Sequence, residues 1–130
     1  MTIKSLEKIL HVEDEPDIRA IAKMSLEKIG KLTVESCESG QEALDRVAAF
    51  APDLVLLDAM MPEMDGPEVL RQLRARDDTK HVPIVFMTAK VQAAEIVEYK
   101  KLGALEVIAK PFDPMSLHQQ LKDIWLANQD

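Results

Sequence analysis

The sequence predicts an α/β protein whose five βα units form one parallel sheet. Residues 9–12, 54–57 and 84–87 are short apolar runs, and longer amphipathic segments separate them. Each run is too short for a helix and is typical of a strand buried on both faces. The alternation of such strands with helical segments predicts a parallel sheet with helices on both sides. His11 lies inside the first run, so we interpret it as a packed, hydrogen-bonded core residue.

The order of the strands follows from how apolar each of them is. Two further candidate strands are weaker, because residues 32–37 alternate between apolar and polar and residues 105–109 are short and mixed. Since edge strands are less buried than central ones, we expect the second and fifth strands at the edges. With right-handed crossovers, this predicts a flavodoxin-like (βα)5 three-layer sandwich with the strand order 2-1-3-4-5.

Start and stop signals place a helix after each strand. Pro16 stands in the first turn of the first helix and Gly30 follows its end, whereas Ser39 and Glu42 form a capping-box pattern at the start of the second helix. An apolar stripe is expected to turn the first helix toward the sheet. The predicted helices are residues 16–29, 40–50, 67–76, 91–102 and 114–127, and the stripe of the first is Ile18, Ile21, Ala22 and Ile29.

Length and charge limit what the chain can do. Its 130 residues predict one domain over residues 1–130. With 16 basic and 23 acidic side chains its formal charge is −7, which argues against direct nucleic-acid binding and against an anionic membrane as partner. The single cysteine, Cys37, excludes an internal disulfide, and we interpret it as a small buried hydrophobe. No apolar run suits a signal peptide or a membrane span, so a cytoplasmic protein is expected.

Polar residues follow four of the strands at the edge of the sheet where ligands bind in such folds. Glu13 and Asp14 follow the first strand, Asp58 the third, Thr88 the fourth and Lys110 the fifth. Three carboxylates on adjacent strands repel one another unless a cation lies between them. Because carboxylates are hard oxygen ligands, the sequence predicts a Mg²⁺ site at this edge.

The same residues suit phosphoryl transfer to Asp58. A carboxylate can attack phosphorus and form an acyl phosphate. Such a transfer depends mainly on positioning and on neutralising the three equatorial oxygens of the phosphoryl group. Mg²⁺ would neutralise one oxygen and Lys110 another, whereas the Thr88 hydroxyl and the backbone N–H of Ala89 would hold the third.

Four stretches resemble the signature of response-regulator receiver domains of two-component signalling. They are ILHVEDE at residues 9–15, LLDAMMPEMDG at 56–66, MTA at 87–89 and KPF at 110–112. Their spacing and order also match, and the resemblance extends from about residue 8 to about residue 126. The combination is specific, so the risk of a chance match is low.

The resemblance implies a role for each residue at the strand ends. Asp58 would be the phosphoacceptor, and the peptide bond after Lys110 would be cis. The implied Mg²⁺ ligands are Asp14, as the more direct of the acidic pair, Glu13, Asp58 and the backbone carbonyl of Met60, and the implied phosphoryl contacts come from Thr88 and Lys110.

Departures from the family pattern affect the expected switch. Val107 stands three residues before the lysine, where many receivers carry an aromatic side chain. Because valine is short and stiff, we expect activation to move the loop 88–91 and the start of the fourth helix, while Val107 changes little. Glu13 replaces a frequent aspartate, and the side chains of Met60 and Lys90 should tune dephosphorylation.

The resemblance implies the function of a signalling switch. Asp58 would take a phosphoryl group from a sensor histidine kinase or a histidine phosphotransfer protein, and the changed surface would regulate a downstream protein. The chain would then be no enzyme, apart from promoting phosphorylation and dephosphorylation of its own Asp58. A phosphorylation-dependent homodimer is a further hypothesis.

Two alternative functions belong to other classes. An aspartate-nucleophile phosphatase would share this chemistry, but its nucleophile usually begins an Asp-x-Asp pair after the first strand. This chain has Asp58-Ala59-Met60 after the third strand. The other alternative is a receiver-like module that binds its partner without phosphorylation, although every group needed for phosphorylation is present.

Overall fold

The computed structural model describes residues 4–129, which form a five-stranded parallel sheet with helices on both faces. The strand order β2-β1-β3-β4-β5 confirms the predicted flavodoxin-like topology. In this described part of the chain, no helix has both the length and the apolar character needed to cross a membrane. The strands are β1 (Lys8–Val12), β2 (Thr33–Cys37), β3 (Leu54–Asp58), β4 (Ile84–Thr88) and β5 (Glu106–Ala109), and the helices are α1 (Pro16–Met24), α2 (Gly40–Phe50), α3 (Gly66–Arg74), α4 (Ala93–Leu102) and α5 (Leu117–Ala127).

Each face of the sheet belongs to its own apolar core. β3 and β4 are buried along their whole length, as expected for central strands. On one face, Leu57 and Phe86 lie in a core with side chains of α2 and α3. On the other, Leu56 lies in a core with Leu121 and Trp125 of α5. Burying one such large side chain stabilises a fold by about 1.5–3 kcal/mol. The two cores therefore hold the strands, and the residues at their carboxyl ends, in place.

The first helix is not α-helical throughout its predicted range 16–29. α1 ends at Met24, and a wider π turn over Ser25–Ile29 follows it. The chain passes very close to α5 at this point, because a Cβ on Gly30 would lie 2.5 Å from His118 Cβ. The Ser25 hydroxyl also donates a hydrogen bond to the carbonyl of Pro114. The π turn therefore lets the end of this helix fit against the start of α5.

The expected apolar stripe of the first helix is wrong in two of its four positions. Ile21 and Ile29 are 41% and 38% exposed. Ala22 and Leu26, four residues apart, are fully buried and form the face toward the sheet. Ile21 lies off this face at the surface, because successive residues of a helix are rotated by about 100°.

The fourth and fifth helices begin later than predicted. α4 starts at Ala93, because the preceding Gln92 has an extended backbone, with φ −69° and ψ 153°. α5 starts at Leu117, because the chain first forms a turn in which Asp113 Oδ1 accepts a hydrogen bond from Met115 N at 2.9 Å. The loops that follow β4 and β5 at the carboxyl edge of the sheet are therefore longer than expected.

Of the two hydrogen bonds that make up the predicted capping box of α2, one is present. Ser39 Oγ accepts a hydrogen bond from Glu42 N at 3.1 Å, as predicted. The Glu42 side chain, however, accepts from Glu38 N at 3.1 Å and not from Ser39 N. The carboxylate thus stabilises the turn one residue before the cap.

Asp53 joins the starts of β1 and β3 at the opposite edge of the sheet. Its buried Oδ2 accepts hydrogen bonds from Glu7 N at 3.0 Å and Lys8 N at 2.9 Å. Its Oδ1 lies 2.7 Å from Lys4 Nζ, although that exposed lysine adds little in water. Burial alone would raise the pKa of Asp53, but the contacts with Lys4 and with the two backbone N–H groups lower it below its ordinary value.

Replacing Asp53 with Asn is expected to lower the free energy of unfolding by about 1–3 kcal/mol at neutral pH, because the charged acceptor of two part-buried backbone N–H groups is lost. Since the folded-state pKa is depressed, this stability is complete above the unfolded pKa and disappears as the pH falls through the folded pKa. Denaturant unfolding of both proteins between about pH 7 and pH 3 should show a difference that shrinks only at the acid end. A difference independent of pH would contradict the charged role of Asp53.

Candidate functional site

The carboxyl ends of the strands bring the predicted site residues to one rim of the sheet. Glu13 and Asp14 follow β1, Asp58 ends β3, Thr88 ends β4 and Lys110 follows β5. β1 and β3 are paired neighbours although β2 lies between them in the chain. This is the switch point of the strand order, which is where ligands bind in open α/β sheets.

Three carboxylates converge at the switch point. One oxygen atom from each of Glu13, Asp14 and Asp58 lies within 4.8 Å of the others. Glu13 and Asp58 are buried, and Asp14 is half-buried. Such crowding of like charges is unfavourable without a cation. The donor set is made of hard oxygen ligands, so these residues fit a Mg²⁺ ion.

The Lys110 side chain lies against two of the three carboxylates. Its Nζ is 2.8 Å from Glu13 Oε1 and 3.1 Å from Asp58 Oδ2. Burial lowers the pKa of Lys110, but the contacts with Glu13 and Asp58 raise it by more, so its pKa stands above the ordinary value and the lysine stays charged. The Lys110–Pro111 peptide bond is cis, as the family resemblance implies.

The surroundings of Glu13 strongly raise the pKa of its carboxyl group. Burial raises the pKa of Glu13, Lys110 lowers it and Asp58 raises it further, so that the pKa is about 7. Its second oxygen, Oε2, accepts a hydrogen bond from Glu15 N at 3.3 Å. Three carboxyl groups lie together here and a single lysine contacts two of them, so the cluster favours the binding of a further cation.

Backbone groups from two loops surround the predicted acceptor. Met60 N donates a hydrogen bond to Asp58 Oδ1 at 3.2 Å. Thr88 is buried, and its Oγ1 accepts a hydrogen bond from Lys90 N at 3.1 Å. Because a hydroxyl has one donor and two acceptor positions, the Thr88 proton remains available to another acceptor. The side chains of Met60 and Lys90 are exposed on the rim beside Asp58.

Sequence reasoning missed two residues that shape this rim. Arg19 of α1 donates from Nη1 to the backbone carbonyl of Glu13 at 2.9 Å and to that of Asp14 at 3.3 Å. Gly66 N donates to Ala59 O at 3.0 Å and so closes the loop that follows the acceptor. Gly66 could have been found from its place in the MPEMDG stretch. Arg19 belongs to no motif, and it reaches the rim because it lies in the first turn of α1.

His11 is buried as predicted, but it is not hydrogen-bonded within residues 4–129. Neither Nδ1 nor Nε2 has a partner there. Burial, followed by the charges of Lys110 and Arg19, lowers the pKa of His11 to about 3. The ring is therefore neutral at physiological pH. The prediction rested on the position of His11 inside an apolar strand, which buries the ring but specifies no hydrogen-bond partner for it.

The fold and the rim together define the class of protein. The structure is a flavodoxin-like α/β protein whose switch point holds three carboxylates and a lysine. Its sequence matches the response regulator receiver domain family over residues 9–122. The chain therefore belongs to the receiver domains of two-component response regulators, which confirms the predicted family, fold and general function.

Several relatives show how this domain is used elsewhere. Sporulation initiation phosphotransferase F of Bacillus subtilis is 40% identical over 116 residues, which are 89% of this chain and 91% of that protein. The alkaline phosphatase synthesis transcriptional regulatory protein PhoP of the same organism is 38% identical, over 90% of this chain but only 47% of that protein. This chain likewise spans 46% of a probable transcriptional regulator, ycf27, of Guillardia theta. The chain thus covers most of one relative's length and about half of the length of the longer ones.

Solved structures agree with this assignment. The chemotaxis response regulator CheY4 of Vibrio cholerae superposes with a TM-score of 0.85 at 29% identity, over 92% of this chain and 99% of that one. The N-terminal domain of a response regulator receiver protein from Methanoculleus marisnigri superposes with a TM-score of 0.74 at 37% identity, over 92% of this chain and 93% of that one.

Proposed function

We propose that Asp58 accepts a phosphoryl group from a phosphohistidine donor, with Mg²⁺ as the cofactor, and that the changed surface regulates a partner protein. The observation that carries this proposal is the buried carboxylate cluster, in which Lys110 Nζ lies 3.1 Å from Asp58 Oδ2. The test is phosphorylation of the intact chain by a small phosphodonor with and without Mg²⁺, followed by mass spectrometry. Incorporation of one phosphoryl group that depends on Asp58 supports the proposal.

Glu13, Asp14, Asp58 and the backbone carbonyl of Met60 would hold the metal ion. When bound, Mg²⁺ would supply positive charge next to the phosphoryl oxygens. The reaction forms a bond between phosphorus and an Asp58 oxygen and breaks the bond between phosphorus and the donor nitrogen, which keeps the electron pair. Met60 N holds Asp58 Oδ1 and so orients the attacking carboxylate.

Lys110 and Thr88 would neutralise and orient the transferred group. Lys110 stays charged, and its Nζ is already within reach of an oxygen of Asp58, so it can contact a phosphoryl oxygen attached there. The Thr88 hydroxyl accepts from Lys90 N and keeps its own proton for donation. The chain's contribution is thus positioning and charge, which suffices for transfer from an activated donor.

An apolar cleft beside this rim suits the surface of the donor protein. The cleft has a volume of about 340 Å³ and lies between α1 and the loop after β5. Lys110 lines the cleft and its Nζ lies 3.1 Å from Asp58 Oδ2, so the cleft adjoins the acceptor that a phosphohistidine of another protein would have to reach. We therefore propose that a histidine kinase or phosphotransfer protein docks here. The other lining residues are Ile18, Ile21, Pro111, Phe112 and Pro114.

Replacing Ile21 with Glu is expected to slow phosphotransfer from a histidine-phosphorylated protein at least about ten-fold, because it puts an unpaired charge into an apolar contact. Phosphorylation by acetyl phosphate should be unchanged, since the small donor needs no docking surface. Met24→Glu is the matched control, because Met24 is exposed on the same helix outside the cleft. Equal rates for all three proteins with the protein donor would contradict the docking site.

We further propose a phosphorylation-dependent homodimer, a cytoplasmic location and a single domain over residues 1–130. The chain would regulate a downstream protein and would itself promote only the phosphorylation and dephosphorylation of its own Asp58. The phosphatase alternative is less favoured, because position 60 carries Met where its Asp-x-Asp pair would place the second aspartate.

A further inference from the structure

Phe86 of β4 and Tyr99 of α4 form an aromatic pair. Their ring centroids are 4.9 Å apart and their planes are inclined at 68°, which is the edge-to-face arrangement that aromatic rings favour. Phe86 is fully buried. Tyr99 is half-buried and packs against the same apolar core, which also contains side chains of α2 and α3. The pair therefore connects a central strand of the sheet to α4.

Val107 lies next to this pair on the neighbouring strand. The register of β4 and β5 places Phe86 directly beside Val107. Val107 is half-buried and belongs to the same core as Tyr99. On this face of the sheet, the aromatic side chain above Phe86 thus comes from α4, and β5 contributes only a short valine.

Phe86 also lies against the loop that follows Asp58. A Cβ on Gly66 would be 3.0 Å from Phe86 Cε1 and 2.7 Å from the backbone oxygen of Asp58, so Gly66 is in close contact with both. Thr88 is two residues after Phe86 on β4, and alternate residues of a strand lie on the same face. A displacement of the loop would therefore act on the Phe86 ring through Gly66, and Thr88 lies on the same face of the same strand.

α4 is held only weakly by its own side chains. None of its ten residues, all within the described part of the chain, is fully buried. Tyr99 supplies its aromatic contact with the core, and its C-terminal end is tied by the hydrogen bond from Ala104 N to Tyr99 O at 3.1 Å. Elements with few buried apolar contacts are those that rearrange at small free-energy cost.

We propose that Tyr99 couples the acceptor site to α4 in this chain. The inference rests on the proposed function, because it requires a phosphoryl group on Asp58. When the loops that follow Thr88 and Asp58 close around that group, the Phe86 ring moves against the Tyr99 ring. α4 then moves with Tyr99, because none of its residues is fully buried. Tyr99, a side chain of α4, thereby provides the coupling to the acceptor site that Val107 is too short to provide.

Amide NMR spectra with and without Mg²⁺ and beryllofluoride, a phosphoryl mimic, test the coupling. In the unmodified chain, shifts are expected at residues 58–60 and 88–90 and along α4. In Tyr99→Leu, the shifts at 58–60 and 88–90 should persist. The shifts of α4 should fall at least about two-fold, the lower end of effects known for residues that link two sites. Tyr99→Phe keeps the ring and should respond like the unmodified chain.

Val97→Ala is the matched control, because Val97 is 50% exposed on the same helix and should not alter the response. If Tyr99→Leu does not fold, Tyr99→Met fills more of the space and is measured in the same way. Undiminished α4 shifts without the ring, or an equal loss in Val97→Ala, would overturn the coupling. Absence of shifts at residues 58–60 in the unmodified chain would overturn the proposed function itself, and the coupling with it.

Discussion

Asn at position 58 is expected to abolish phosphoryl incorporation from acetyl phosphate. The amide of Asp58→Asn cannot form an acyl phosphate, whereas it can still accept the hydrogen bond from Met60 N through Oδ1. Labelling of the unmodified chain should require Mg²⁺, cease on chelation and be reversed by hydroxylamine. Intact-protein mass spectrometry gives the stoichiometry.

Asp65→Asn is the matched control for this experiment. Asp65 lies in the same loop as the acceptor, is exposed, and caps α3 by accepting a hydrogen bond from Glu68 N at 3.0 Å. Asn caps a helix about as well as Asp, so the fold and the labelling should both be retained. Labelling that persists in Asp58→Asn would show that the acceptor is another residue.

Phosphoryl labelling, combined with an assay of phosphate-ester turnover, separates the proposed switch from the two alternative functions. A phosphorylated switch takes up one phosphoryl group and releases it slowly. An aspartate-nucleophile phosphatase would turn over many equivalents of a phosphate ester, and that turnover would be lost in Asp58→Asn. A phosphorylation-independent binding module would not be labelled in any variant. Each outcome is distinct, because the three functions differ in whether an acyl phosphate forms on Asp58 and in whether it is then hydrolysed repeatedly.

The positions of the site residues could be predicted because parallel strands impose them. β3 and β4 are apolar up to their last residues, Asp58 and Thr88, which identifies them as central strands. Once the strand order is known, the carboxyl ends meet at one rim, so Glu13 and Lys110 are brought to Asp58 without any knowledge of side-chain contacts. The resemblance then supplied the chemical roles.

The parts that sequence reasoning missed depend on contacts between distant segments. The π turn at Ser25–Ile29 arises where Gly30 passes under His118 of α5, and nothing in the local sequence signals that approach. The missing partners of His11 are also a tertiary property. The pairing of Phe86 with Tyr99 depends on where α4 lies over the sheet, which periodicity does not specify. Local patterns therefore predicted elements and strand ends, but not the contacts between helices and strands.

Replacing Lys110 with Ala is expected to slow phosphorylation of Asp58 by about 10²–10³-fold, the usual effect of removing one group that stabilises developing charge. Lys101→Ala, which removes an exposed lysine of α4, should phosphorylate at the rate of the unmodified chain. Rates of labelling by acetyl phosphate at saturating Mg²⁺ provide the comparison. A rate for Lys110→Ala equal to that of Lys101→Ala would refute the role of Lys110.

Binding of Mg²⁺ should respond to the same substitution in the opposite sense. Lys110 Nζ now lies 2.8 Å from Glu13 Oε1 and 3.1 Å from Asp58 Oδ2, where its charge competes with a second cation for the same carboxylates. Its removal leaves the three carboxylates in place but raises their mutual repulsion, so calorimetry should find Mg²⁺ binding unchanged or slightly tighter. Weaker binding would mean that Lys110 orders the metal site. Slow phosphorylation together with intact Mg²⁺ binding would assign the lysine to the phosphoryl group, because only the transferred group would then have lost its counter-charge.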